Sequence, residues 1–199
     1  MKTSTIVRST QIKALYMKKG LLLAAGLAIG ITAFSQQRIF TRKGQVSFYS
    51  KAPLENIEAH NNAAVSVIDE GTGQLEFSVL MKGFEFEKAL QQEHFNEDYV
   101  ESSKFPKAVF KGKITDMSKV KFTSDGSYTV TVSGQLSLHG ETKDVTTAAT
   151  IAVRGGAVSG HAEFGILLDD YKISIQSLVK DKISKTVKIV VNCNYENMK

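Results

Sequence analysis

Tryptophan is absent from the 199-residue chain, cysteine occurs once and proline twice. One cysteine, Cys193, excludes an intramolecular disulfide, so the fold has to be held by its own apolar core. Acidic residues are missing from positions 1–35, which carry Lys2, Arg8, Lys13, Lys18 and Lys19. The formal charge of +5 originates there: taking those five from the 25 basic residues leaves 20, equal to the 20 acidic residues. The balanced remainder gives no electrostatic case for a nucleic acid or an anionic membrane as partner. A hydrophobic run of spanning length is missing too. The stretch 20–34, polar only at Thr32, falls short of the ~20 residues that cross a bilayer as a helix.

That stretch has instead the make-up of an export signal. Met17-Lys18-Lys19 is a short basic lead, and Ala33-Phe34-Ser35 places small residues around a cut before Gln36. We expect residues 1–35 to be a signal peptide, with Met17 a better start than Met1, and residues 36–199 to be the exported domain, periplasmic or secreted. An uncleaved anchor is the alternative. No cysteine follows the run to accept a lipid.

From Val46 onward, apolar and polar residues alternate with period two, the mark of strands wet on one face. Residues 36–44 are polar and are expected to be a loose lead-in. Val46, Phe48 and Ser50 begin the alternation, which Pro53 breaks. Ile57, Ala59, Ala63, Val65 and Val67 share one parity, and Asp69-Glu70-Gly71-Thr72-Gly73 makes a hairpin turn. Leu75, Phe77, Val79 and Met81 follow, then Ala108, Phe110, Gly112 and Ile114. Tyr128, Val130, Val132, Gly134, Leu136 and Leu138 make the longest clean alternation, ended by His139-Gly140. Val145 to Val153, Val158 to Leu168 and Val187 to Tyr195 complete about eight strands, separated at Arg154-Gly155-Gly156 and Asp169-Asp170-Tyr171. Tight turns imply antiparallel neighbours, and long half-wet strands favour closure, which removes sheet edges. The expected fold is all-β: an antiparallel up-and-down barrel of eight strands.

One stretch departs from this period. Phe86 to about Val100 lacks Gly and Pro, is rich in Glu, Lys, Ala, Leu and Gln, and reads as one short helix insert. Phe86/Leu90 and Phe95/Tyr99 stand at i,i+4, each pair on one helical face. Phe105-Pro106 ends it, because Pro drives its predecessor to extended geometry.

Small residues fall on the inward parity at Ala108, Gly112, Gly134, Ala149, Gly160 and Ala162. They suggest unfilled volume inside, hence an apolar pocket capped by the aromatic insert. A barrel plugged by Phe48, Phe77, Phe110 and Phe164 is the alternative.

Catalytic and metal chemistry find little support. His60 and His161 fall on the outward parity and His139 in a turn. His94 has Asp98 at i+4, half of a metal site at most. Glu93 and Glu97 form a carboxylate pair that reads as a solvated helix face, and Asp169-Asp170 as a turn. Cys193 is inward, a small buried hydrophobe. No catalytic, metal or cofactor set is expected.

Three blocks, LQQEHFNEDYVESSKFPKAVFKGKI, GQLSLHGETKDVT and LDDYKISI with a late ISKTVKI strand, closely resemble the YceI-like family of exported, lipocalin-like, polyisoprenoid-binding bacterial proteins. The likeness runs from about Gly44 to Tyr195. Glu141 departs from it, standing where an apolar residue is common after the His-Gly turn. The resemblance implies a barrel with a helix near one opening and an elongated apolar channel for a polyisoprenoid or isoprenoid quinone. The implied ligand-binding residues are Phe48, Leu75, Phe77, Phe110, Leu136 and Phe164 in the barrel, with Phe84, Phe86, Phe95 and Tyr99 from the insert. A carrier or buffer role follows, with no enzymatic activity; transient membrane contact and a homodimer remain open. The rivals are a ligand-free structural or stress-response barrel and an enzyme acting on a lipid head group through His94, Glu97 or Asp98.

Overall fold

Alternate residues turn inward along each long strand, so the sheet has a dry face, and that face closes on itself. In the computed structural model, which describes residues 37–198, the strands are β1 (Arg38–Lys51), β2 (Asn56–Asp69), β3 (Gln74–Leu80), the two-residue β4 (Glu85–Phe86), β5 (Lys107–Ile114), β6 (Gly126–Leu138), β7 (Glu141–Arg154), β8 (Ala157–Leu167) and β9 (Thr186–Asn197). All pairings are antiparallel, in the order β1-β9-β8-β7-β6-β5-β3-β2, and β1 also pairs with β2. The result is a closed eight-stranded up-and-down barrel, with β4 added on β2 through Ala59↔Phe86 and His60↔Glu85. The expected signal peptide lies outside the described residues.

Consecutive strands alternate in direction, so their connections fall at two ends. One end has the tight turns 70–73 and 155–156 and the loop 115–125. Here Asp69 Oδ1 accepts from the Gly71 and Thr72 amides, and Gly73 sits at φ +74°. Ile39, Ile68, Ile114, Val130, Ile151, Val153 and Val158 are buried together and plug this end. The other end carries loop 52–55, the insert 81–106, the turn at His139-Gly140 and loop 168–185.

Three expectations need correction. The lead-in is not loose: β1 starts at Arg38, pairs with both β2 and β9, and buries Ile39. Polar Arg42 and Lys43 misled because they belong to a bulge, where the register slips between Thr41 and Gly44. Parity along β2 also switches. Ala59 and Asn61 face in, but the next inward residues are Ala64, Ser66 and Ile68, while Ala63 and Val65 are exposed. One added residue on this strand makes the matching bulge, closed by Asn61, whose Oδ1 accepts from the Ala63 amide and whose Nδ2 donates to the Leu80 carbonyl, both at 2.9 Å. Finally, the helix starts later. α1 (Ala89–His94) runs on as a π-helical turn through Phe95–Tyr99, 11 residues in all, with Phe86 left in β4 and Leu90 exposed. Phe86 and Leu90 therefore share no helical face.

Candidate functional site

Between the plugged end and α1 lies an apolar cavity of about 580 Å³, within the ~300–1,000 Å³ usual for small-molecule sites. Its upper wall is built by the insert. Phe84, Phe86 and Phe95 surround Phe48 of β1, with ring centroids 5.4, 5.6 and 5.4 Å from it. Tyr99 joins this cluster. The barrel wall contributes Leu75 and Phe77 from β3, Phe110 from β5, Leu136 from β6 and Phe164 from β8. All ten residues anticipated as binding residues thus border one void.

The small residues do not all open space. Gly112 and Gly134 lie opposite each other, and a Cβ on either would meet the Phe110 ring at 2.7–2.8 Å. That ring fills the notch they make, so neither contributes volume. Ala108, Ala149, Gly160 and Ala162 do border the cavity. At its floor, Tyr195 and Ser66 hydroxyls stand 3.0 Å apart. Burial pushes the Tyr195 hydroxyl far up and the Cys193 thiol up to about 11, so the floor is neutral and unreactive.

The mouth is polar, and composition alone did not reveal it. Glu55, in the β1–β2 loop, accepts from Lys88 Nζ and from Gln91 Nε2 of α1, both at 2.9 Å, so the carboxylate ties loop to cap. The Lys88 hydrogen bond, helped by the charges of Lys88 and Lys182, holds the Glu55 carboxyl below the usual carboxylate range. Glu55, Lys88, Gln91, His94 and Lys182 border the opening. A signal existed in hindsight only: a Glu in one loop and a Lys and Gln 33–36 residues later.

A second polar junction holds the insert over the rim. Glu101, His139 and Lys172 are the non-glycine residues with positive φ among the described residues, at 45°, 52° and 54°. They meet at one place. His139 Nδ1 lies 2.9 Å from the Tyr171 carbonyl oxygen and Nε2 2.9 Å from Glu101 Oε2. Both partners accept, so both contacts are hydrogen bonds when each ring nitrogen carries a proton. Left-handed backbone costs ~1–3 kcal/mol per such residue, and these contacts with the Phe105–His139 ring pair (4.6 Å) offset it. Glu141, the departure noted in the sequence, pairs with Lys172 at 2.5 Å and is held below the usual carboxylate range by that hydrogen bond.

The candidate reactive groups do not converge. His94 Nδ1 is 2.7 Å from Asp98 Oδ2 on the exposed face of α1, and Glu93 and Glu97 are exposed there too. His60 and His161 face outward on β2 and β8, bonded to Ser47 and Asn192. Among the described residues, no three His, Cys, Asp or Glu side chains are grouped to hold a metal.

The sequence profile of the YceI-like domain family matches residues 35–195. No curated protein matches the chain. Among solved structures, a polyisoprenoid binding domain from Saccharophagus degradans implicated in plant cell wall breakdown is similar, with a TM-score of 0.71 at 14% identity over 81% of this chain and 98% of that one. BcnA of Burkholderia cenocepacia is similar with a TM-score of 0.62 at 17% identity, over 77% of this chain and 96% of that one. At such identities the likeness is one of fold.

Proposed function

The chain belongs to the YceI-like domain family, and from that premise we propose that it is an exported lipid-binding protein that holds a polyisoprenoid or isoprenoid quinone in its barrel. It serves as a carrier or buffer, periplasmic or secreted, without catalysis. The observation that carries this reading is the cavity itself, walled mostly by aromatic and aliphatic side chains, with its charged groups at the mouth. Such a void desolvates a long apolar tail and leaves a polar head at Glu55, Lys88 and Gln91. The fold shared with a polyisoprenoid binding domain supports the ligand class. Ligand-contacting residues are Phe48, Leu75, Phe77, Phe110, Leu136 and Phe164, with Phe84, Phe86, Phe95 and Tyr99 from the cap.

The test is mass spectrometry of an organic extract of the protein purified without detergent, followed by titration with prenyl alcohols of increasing length. Each buried CH2 contributes ~0.8 kcal/mol, about fourfold in Kd, until the cavity is full. An empty protein whose affinity is flat across chain lengths would return the molecule to the ligand-free barrel.

A further inference from the structure

One seam of the barrel is open. β7 pairs with β6 along its whole length, from Leu138↔Glu141 to Gly126↔Val153. β8 pairs with β9 from Val158↔Tyr195 to Leu167↔Thr186. Yet β7 and β8 pair with each other only from Arg154↔Ala157 to Ala149↔Ala162. Beyond that point, residues 141–148 and 163–167 remain strands with no ladder between them. The slot is zipped at its lower end and clasped at its upper end, where Lys172 meets Glu141 and the Tyr171 carbonyl meets His139.

We propose that this slot is a side door to the cavity, through which the isoprenoid tail passes between the protein and a lipid phase. The proposal rests on the lipid-binding reading above. The cavity lies directly behind the slot: Val145 and Thr147 on one bank and Phe164 and Ile166 on the other border it. Thr150 and His161, on the outward parity at the rung next to the last, border it as well. Parting the banks breaks no ladder hydrogen bond, because none is made beyond Ala149↔Ala162; any fully paired seam would lose several. A side-chain tie crosses the slot, Thr147 Oγ1 donating to the Glu163 carbonyl at 2.9 Å. The mouth, in contrast, is straddled by Glu55 bonded to Lys88 and Gln91. A tail sliding sideways avoids this polar bridge and leaves its head beside it.

Extending the register past Ala149↔Ala162 puts Thr146 opposite Gly165, both exposed. A Cβ on Gly165 makes an ordinary 3.5 Å contact with Thr186, so a side chain is accommodated. The experiment joins Thr146→Cys and Gly165→Cys in the full chain with a bis-maleimide; Cys193 stays out of the reaction, being buried with its thiol pushed up to about 11. Transfer of a fluorescent prenyl alcohol from phosphatidylcholine vesicles is then timed. Bridging should slow transfer at least tenfold in both directions with equilibrium occupancy unchanged. A control bridge between Gln135→Cys and Asp144→Cys, across the paired β6–β7 seam, should leave the rate alone. Thr147→Val, which removes the tie without a cross-link, should speed transfer severalfold. Equal rates in bridged and unbridged protein, or an unchanged rate in Thr147→Val, with the probe bound, overturn the door and leave lipid binding standing. No uptake by the unbridged protein overturns both.

Discussion

Phe48→Ala tests whether the aromatic cluster is what fastens the cap to the barrel. Phe48 comes from β1, and its three ring partners, Phe84, Phe86 and Phe95, all come from the insert. Each ring pair contributes ~0.5–1.5 kcal/mol beyond burial, and a fully buried Phe→Ala costs ~3–5 kcal/mol. Phe48 is only partly buried because one flank faces the cavity, so the expected loss is about 3 kcal/mol. For a domain of this size that is a fall in Tm of roughly 6–12 °C. The assay is thermal unfolding of lipid-free protein by far-UV circular dichroism, with denaturant titration beside it. Phe48→Leu, which keeps most of the volume and loses the ring geometry, should cost about half as much. With prenyl alcohol present, Phe48→Ala should also lose at least tenfold in affinity. A loss under ~1 kcal/mol for Phe48→Ala would mean that the polar ties at Glu55 and His139 hold the cap without the rings.

Asn61→Ala leaves the Leu80 carbonyl and the Ala63 amide without their partner inside the β2 bulge; urea unfolding should show a loss of about 2–4 kcal/mol. Gly134→Ala brings a Cβ to 2.4 Å from Gly112 Cα and from the Lys111 carbonyl oxygen. Backbone cannot yield cheaply, so a loss of about 3 kcal/mol is expected by the same measurement, with Phe110 displaced into the cavity. Glu55 is held below its ordinary value of 4.5, chiefly by the Lys88 hydrogen bond. A depressed carboxylate contributes stability that is present above 4.5 and lost as pH falls through the folded value. Wild type should therefore exceed Glu55→Gln in unfolding midpoint at neutral pH by a small, salt-screened margin that vanishes in acid; a margin that persists in acid would deny the ion pair.

Period-two alternation was enough to place most of the barrel. Val130, Val132 and Leu138 against Thr129, Gln135 and Ser137 dictate a strand whatever it packs on, and Gly73, Gly140 and Gly155-Gly156 dictate where strands turn, since each sits at positive φ. Aromatic content and Pro106 marked the insert, and the ten residues that the family resemblance implied all border one cavity. Alternation reports only which side of a sheet a residue faces, and three things followed from contacts it does not encode. The parity switch after Asn61 depends on bulges in two strands compensating each other. The Gly112–Gly134 pair reads as space in one dimension, but folding lays the Phe110 ring across it. The polar mouth and the His139 junction join residues 31–38 positions apart, which no local pattern links. The open seam is the clearest case: Val145 and Thr147, like Phe164 and Ile166, keep the inward parity of the paired stretches they continue. Beyond Ala149↔Ala162 each strand draws its hydrogen bonds from its far neighbour, and only closure of the whole barrel decided that these two stretches would not pair.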